Sequence, residues 1–123
     1  MLSHNLALMV MFAAAVAAVP AEHDLVGRWR LTAPDQLQRG IADWRPTLSP
    51  GGKLTFVTRY SRGNSHSETG RWRVHQRQLV FHFQNSDEQR PRRPDLVFDI
   101  LSFDHRHIFA RYGPWDVTFE RTS

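Results

Sequence analysis

Leu25-Val26-Gly27-Arg28-Trp29-Arg30-Leu31 is the stretch that decides the fold, and it comes shortly after an apolar leader. In an extended strand, successive side chains point to opposite faces. The odd-numbered residues of the stretch then form an apolar face that holds Trp29, whereas Arg28 and Arg30 lie on the opposite face. A strand of this kind has to bury its indole, so we expect the rest of the chain to wrap around Trp29.

Most of the remaining chain consists of short segments in which apolar and polar residues alternate, as is typical of strands with one buried face. They are joined by turns such as Ser49-Pro50-Gly51-Gly52, in which proline sets the bend and glycine accepts a positive φ. Seven such segments follow the first strand, over residues 43–48, 53–60, 68–75, 79–84, 96–103, 107–112 and 115–121.

Eight consecutive strands with a single apolar face each favour an antiparallel meander that closes on itself, because closure removes the exposed sheet edges. The sequence therefore predicts an all-β fold, an eight-stranded antiparallel up-and-down β-barrel. Pro34 and Gly40 bracket a short helical turn after the first strand, since proline suits a first turn and glycine a last one. Leu37 and Ile41 are expected to fold this turn back as a lid over one end of the core.

The segment Leu96–Phe103 is apolar on both faces, and two interpretations of it stay open. A β-bulge near Ile100 would switch the inward face midway along the strand. Alternatively, Val97, Leu101 and Phe103 face outward and are covered by the lid or by a second subunit.

Residues 6–19 form an uninterrupted apolar run that is shorter than the roughly 20 residues needed to span a bilayer. Val19-Pro20-Ala21 offers a cleavage point before Glu22, and Ala15-Val16-Ala17 offers an alternative. We expect residues 1–21 to be a signal peptide, residues 22–123 to be one barrel domain, and no membrane span to remain after cleavage. No Lys or Arg precedes the run, so an uncleaved anchor or a misassigned start is the alternative. The predicted location is the bacterial periplasm or the medium, and the lack of cysteine agrees with this prediction.

The formal net charge is +4, and 15 of the 16 basic residues are arginine, Lys53 being the exception. An excess of basic residues indicates either an anionic partner or an ordinary solvated surface. The surface interpretation is favoured, because the cations alternate with apolar residues and 12 acidic residues are interspersed among them. Nucleic acid is not expected as a partner, since nucleic-acid binding places exposed aromatic rings beside arginine, and here the two alternate on opposite faces.

The sequence contains no convincing catalytic or metal-binding set, so we expect neither an enzyme nor a cofactor. Asp99 and Asp104 lie close together, but a general acid would need burial and a raised pKa. His105 and His107 are two residues apart, as metal ligands on a strand would be, but no pattern of carboxylates or thiols completes a site.

Gly27-Arg28-Trp29 on the first strand and Arg121 on the last resemble the signature of the lipocalin superfamily. The spacing of the other segments resembles that of short bacterial lipocalin-like domains. The matching features are the strand after the Ser49–Gly52 turn, the second Gly-x-Trp at Gly70-Arg71-Trp72 and the closing Phe119-Glu120-Arg121. The resemblance implies that Trp29 packs across the closed end of the barrel, beside Gly27 and under the guanidinium of Arg121.

The same resemblance implies a small apolar or amphipathic ligand at the open mouth of the barrel. We expect Tyr60, Phe83 and Tyr112 near that mouth, with Arg59 or Arg111 at its rim. An eight-stranded barrel is only wide enough for side chains or one small ligand. Much of the interior should already be filled by the predicted inward rings, which are Trp29, Phe56, Tyr60, Trp72, Phe81, Phe83, Phe98, Tyr112 and Phe119.

A different class of function is open as an alternative. A filled barrel would act through its outer surface as a protein-binding module, of the protease-inhibitor or toxin-immunity type. Such a module would use the two-sided strand Leu96–Phe103 and the basic loop Arg90-Pro91-Arg92-Arg93. A purely structural accessory domain is a third interpretation.

Overall fold

The computed structural model describes residues 19–84 and 93–122. A four-residue helix, α1 (Glu22–Leu25), precedes eight strands. The strands are β1 (Gly27–Thr32), β2 (Ile41–Leu48), β3 (Lys53–Tyr60), β4 (Ser65–His75), β5 (Gln78–Phe83), β6 (Leu96–Phe103), β7 (His107–Tyr112) and β8 (Trp115–Arg121).

Each strand pairs antiparallel with the next one along the chain, and β1 also pairs with β8, so the sheet closes into a barrel. The predicted eight-stranded up-and-down barrel is confirmed. The chain positions 1–18, on which most of the signal-peptide prediction rests, lie outside the described residues.

The start of β1 differs from the prediction, because Leu25 ends α1 and does not begin the strand. Local capping explains the difference. The Asp24 carboxylate accepts the Ala21 N–H at 2.8 Å, while the Asp24 N–H donates to the Ala21 carbonyl at 3.0 Å. These bonds turn the backbone just before Gly27, yet Leu25 is still fully buried. The helix therefore adds an apolar side chain to the closed end of the barrel.

The strand β4 begins three residues earlier than predicted, at Ser65. Ser65-His66-Ser67 has no apolar alternation, so the pattern alone indicated a loop. Its backbone nevertheless pairs with β3 in the register Arg59↔Ser65 to Val57↔Ser67. Similarly, β2 begins at Ile41 and not at Asp43. Residues at a strand end that lack apolar alternation still join the sheet, because their backbone can form hydrogen bonds with the neighbouring strand.

The predicted helical turn between β1 and β2 is present. The N–H groups of Leu37 and Gln38 both donate to the Pro34 carbonyl at 3.0 Å. The Gln38 side chain then ties the turn to its flanks, since its Oε1 accepts the Ala33 N–H at 2.7 Å and its Nε2 donates to the Ala42 carbonyl at 2.7 Å. Leu37 packs against the core. The turn therefore covers one end of the barrel through Leu37, whereas Ile41 begins β2 and is not among the residues that pack against the core.

The barrel interior is largely filled by aromatic rings that contact one another edge to face. Phe81 lies among Phe56, Phe98 and Phe119, with ring centroids 5.2–6.3 Å away, and Phe83 lies 5.5 Å from Phe56. Such pairs stabilise a core beyond their buried area. Of the nine rings predicted to point inward, seven are buried, and Tyr60 and Tyr112 are half-buried at the open end.

The two-sided strand β6 contains the predicted bulge. Its register against β7 shifts between Ile100 and Ser102, after which Phe103 packs against the core. Val97 and Leu101 remain 39% and 48% exposed on the outer face. The alternative of a lid over this outer face is wrong, because the Pro34–Gly40 turn packs at the open end of the barrel through Leu37, a core-contacting residue.

The two Gly-x-Trp motifs share one feature, a buried indole whose N–H is bonded to a backbone carbonyl. The indole N–H of Trp29 donates to the Leu25 carbonyl and that of Trp72 to the Ser49 carbonyl, each at 2.9 Å. A Cβ at Gly70 would overlap the carbonyl oxygen of His82 on β5. Glycine is therefore needed at position 70 because the backbone of β5 approaches there too closely for a side chain.

Candidate ligand site at the open end of the barrel

The closed end of the barrel is sealed by residues from both ends of the chain. Trp29 has no exposed surface and lies opposite Arg121 in the β1–β8 ladder. The Arg121 guanidinium carbon lies 4.3 Å from the Trp29 ring centroid. Its N–H groups donate to the carbonyls of Val26 at 2.7 Å, Asp24 at 3.0 Å and His105 at 2.7 Å. A ligand therefore cannot enter from this end without breaking the seal.

Gly27 takes part in the same seal. Its φ of +145° is one that residues with a Cβ rarely adopt, and a Cβ built there would overlap Nη1 of Arg121. The glycine thus leaves the space in which the guanidinium reaches the Val26 carbonyl. The structure brings together Gly27, Trp29 and Arg121, the three residues that the resemblance assigned to barrel closure.

The carboxylates considered as catalytic candidates lie in the solvent. The N–H groups of Arg106 and His107 donate to Oδ1 of Asp104 and hold the pKa of this exposed carboxyl below its ordinary value. A general acid requires a shift in the opposite direction. Asp99 is also exposed and accepts a hydrogen bond from Gln78. Both carboxylates stabilise turns or strand pairs.

Histidines do not come together as a metal site in the part of the chain that the structure covers. Over residues 19–84 and 93–122, no three His, Asp, Glu or Cys side chains are grouped as metal ligands would be. His82 instead pairs with Asp95 at 2.7 Å on the surface. Within the same ranges, none of the helices has the length and apolar character that crossing a bilayer demands.

A cavity of about 170 Å³ lies at the open end, opposite the Trp29–Arg121 seal. For comparison, an engineered apolar cavity of about 150 Å³ holds one benzene molecule, and pockets for drug-sized ligands start near 300 Å³. The volume inside the mouth therefore suits a single ring. The lining residues are Leu31, Ala33, Leu37, Trp44, Phe56, Arg93, Leu96, Phe98, Tyr112 and Val117.

Of the five residues predicted to bind ligand, Tyr112 lines this cavity. Phe83 is fully buried against Phe56 and is not part of the cavity wall, and Tyr60 is half-buried beside Ile41 at the end of β3. Arg59 and Arg111 point to the outside, where they pair with Asp43 at 3.3 Å and with Asp116 at 3.2 Å. The alternation that placed these arginines on the polar face also keeps them off the cavity wall.

The Asp43 contact explains why Arg59 stays outside. Asp43 is 6% exposed, and its Oδ2 accepts from Arg45 at 3.1 Å as well as from Arg59. The charges of two arginines on adjacent strands thus compensate the charge of one buried carboxylate. The cluster is a structural ion pair between β2 and β3 on the outer face.

Trp44 and Arg93 line the cavity although neither was predicted to bind ligand. Trp44 lies within the predicted strand 43–48, and its alternation with Pro46 and Leu48 on the inward face would have identified it. Arg93 belongs to the basic loop that was assigned to the alternative function. Residues 90–92 of that loop lie outside the described residues, and no sequence pattern indicates that Arg93 turns inward.

Arg93 is held at the mouth by aromatic rings and by one carboxylate. Its guanidinium carbon lies 4.2 Å from the Phe83 centroid and 5.5 Å from that of Phe56. Nη1 forms an ion pair with Oε1 of Glu68, and both side chains are partly buried. A guanidinium that stacks on two rings and pairs with a carboxylate is positioned well enough to act as a fixed cation in the cavity wall.

A second feature lies on the outer face of β6 and β7. Val97, Leu101 and Phe109 are large apolar side chains with 39%, 48% and 43% of their surface exposed. The His107 ring stacks on Phe109 at a centroid distance of 5.6 Å. We call Val97, Leu101 and Phe109 the outer apolar patch.

Comparison with known proteins supports the fold. The structure is similar to that of a lipocalin-like protein from Bacteroides uniformis, with a TM-score of 0.59 and 12% sequence identity, covering 80% of this chain and 99% of that one. It is also similar to an uncharacterized protein from Bacteroides eggerthii, with a TM-score of 0.55 and 10% identity, covering 79% and 98% of the two chains. No family model and no curated protein matches the chain. The chain therefore has a lipocalin-like barrel fold.

Proposed function

We propose that this protein is a binding protein, not an enzyme, and that it holds a small apolar or amphipathic molecule in the open-end cavity. The observation that carries the proposal is a ring-sized apolar space of about 170 Å³ in a barrel that is otherwise filled. Well-packed interiors contain few voids larger than a water molecule, so a space of this size at an open end is suited to a ligand. We also propose that the protein is exported, which rests on residues 1–21.

The test uses the four tryptophan indole N–H signals in a ¹⁵N-resolved NMR spectrum. Toluene, phenylacetamide and phenylacetate serve as one-ring probes. Trp44 lines the cavity, so its indole signal should shift on titration. Trp29 and Trp72 are internal controls, because their N–H groups are bonded to backbone carbonyls outside the cavity wall. If no probe moves the Trp44 signal, the proposal is wrong.

Replacing Ala33 by phenylalanine is expected to weaken binding of these probes at least about tenfold. Ala33 is half-buried in the cavity wall, so an added ring would occupy the space that a one-ring ligand needs. Dissociation constants from the NMR titration measure the effect. The control is Ala42→Phe, because Ala42 is exposed on β2 outside the cavity. Equal affinities for the two variants would contradict the assignment of the cavity.

A protein-binding role is the second candidate, and the outer apolar patch favours it. Single exposed apolar residues are common, but three on adjacent strands form a surface that a partner would cover. Leu101→Asp places a charge in the patch without touching the cavity. In a pull-down from secreted proteins, a partner that the wild type retains and Leu101→Asp loses would support this role. Equal retention by both proteins would exclude the patch as the binding surface.

A further inference from the structure

We propose that the ligand of the open-end cavity is a small monocarboxylate with a one-ring apolar body, and that Arg93 binds its carboxylate. This inference rests on the proposed function, since it specifies the chemistry of the molecule that the cavity holds. It follows from the hydrogen-bonding groups of the wall, the position of Arg93 and the volume of the cavity.

The side chains of the cavity wall offer hydrogen-bond donors and no carboxylate. Arg93 and Trp44 can only donate, and Tyr112 can both donate and accept. Within residues 19–84 and 93–122, neither the Trp44 indole nor the Tyr112 hydroxyl has a hydrogen-bond partner. The remaining lining residues are apolar. A ligand that matches this wall carries acceptor oxygens on an apolar body.

Arg93 supplies the charge that selects an anion over a neutral acceptor. Its guanidinium has five N–H donors, of which Nη1 is used by Glu68. In the part of the chain described, no other hydrogen bond of this group is present. The Phe83 and Phe56 rings cover part of the guanidinium, and a charge–charge interaction is stronger where contact with water is reduced. Free donors on a partly buried cation are suited to a carboxylate.

Glu68 competes with a ligand carboxylate for the Arg93 guanidinium. It is not part of the cavity wall, but its carboxylate already compensates the charge of Arg93. A ligand carboxylate therefore shares the guanidinium with Glu68 and is repelled by it. Removing the Glu68 charge should strengthen carboxylate binding, whereas removing the Arg93 charge should weaken it. The two changes have opposite signs, which a purely structural role of the pair does not produce.

The experiment compares phenylacetate with phenylacetamide, which has nearly the same shape but no charge. Dissociation constants are measured by NMR titration for the wild type, Arg93→Gln and Glu68→Gln. The control is Arg111→Gln, because Arg111 is an exposed arginine on β7 outside the cavity. We expect the wild type to prefer phenylacetate. Arg93→Gln should weaken phenylacetate binding about tenfold to hundredfold and leave phenylacetamide binding within about twofold.

For Glu68→Gln, we expect phenylacetate to bind more tightly and phenylacetamide to bind as in the wild type. Arg111→Gln should change neither affinity. Unchanged phenylacetamide binding also shows that each variant retains the folded cavity.

The outcomes separate this inference from the proposed function. The carboxylate inference is overturned if the wild type binds the two probes equally, or if Arg93→Gln leaves the affinity for phenylacetate unchanged. Either result leaves the cavity as a ligand site. An equal loss of both probes in Arg93→Gln assigns Arg93 a structural role and also overturns the inference. Failure of all one-ring probes to bind the wild type overturns both proposals.

Discussion

Replacing Trp29 by alanine is expected to lower the free energy of unfolding by about 3–5 kcal/mol. The indole has no exposed surface, so the substitution leaves a large void at the closed end of the barrel. It also removes the ring on which the Arg121 guanidinium stacks and the hydrogen bond to the Leu25 carbonyl. Because the ring joins β1, β8 and the end of α1, the surrounding structure has little freedom to collapse into the space.

Urea denaturation followed by circular dichroism measures this effect. The matched control is Trp115→Ala, which removes a partly buried indole at the first residue of β8. We expect a clearly smaller loss there, because less apolar surface is returned to water. A loss below about 1 kcal/mol for Trp29→Ala would mean that the indole does not hold the closed end together.

The second large effect is expected for Arg121→Gln, which should cost about 2–4 kcal/mol of unfolding free energy. The guanidinium donates to three backbone carbonyls, of which two belong to the segment before β1 and one to the β6–β7 turn. Glutamine cannot reach all three, and it carries no charge to stack on Trp29. Hydrogen bonds from a charged donor are stronger than neutral ones, which accounts for the size of the expected loss.

Two further variants separate the geometry of Arg121 from its charge. Arg121→Lys keeps the charge but lacks the planar fork, so it should recover only part of the stability. Arg30→Gln is the control for a lost arginine in the same pair of strands. Arg30 pairs with Glu120 at 3.0 Å on the exposed face, where an ion pair contributes about 0–1 kcal/mol. If Arg121→Gln and Arg30→Gln destabilise the barrel equally, the guanidinium seal has no special role.

The seal and the cavity give the two ends of the barrel different packing. At the closed end, Trp29 and Arg121 join the first and last strands by packing and by hydrogen bonds. At the open end, Leu37 from the β1–β2 turn and Arg93 from the approach to β6 lie over a space that the core rings leave unfilled. Stability concentrated at one end allows an incompletely packed site at the other, since the cost of an unfilled space is offset elsewhere in the fold.

The sequence by itself determined the strand order, the closure and the seal. Alternation of apolar and polar residues identified the buried face of nearly every strand, including the bulge near Ile100, because a strand reverses its side chains at every residue. The resemblance of Gly27, Trp29 and Arg121 to the lipocalin signature indicated the closed end. Where alternation is weak, as at Ser65-His66-Ser67, the strand end was missed, since backbone pairing with β3 decides it.

Only the tertiary structure decided the candidate site. Periodicity tells which side chains point inward, but it does not tell how high each one lies in the barrel or which volume stays empty. Phe83 and Tyr112 both point inward near the open end, yet Arg93 covers Phe83 while Tyr112 lines the cavity. The position of Arg93 depends on contacts with Glu68 and with rings of β3 and β5, which are distant in sequence. Such contacts form only when the sheet has closed, so no local sequence pattern predicts them.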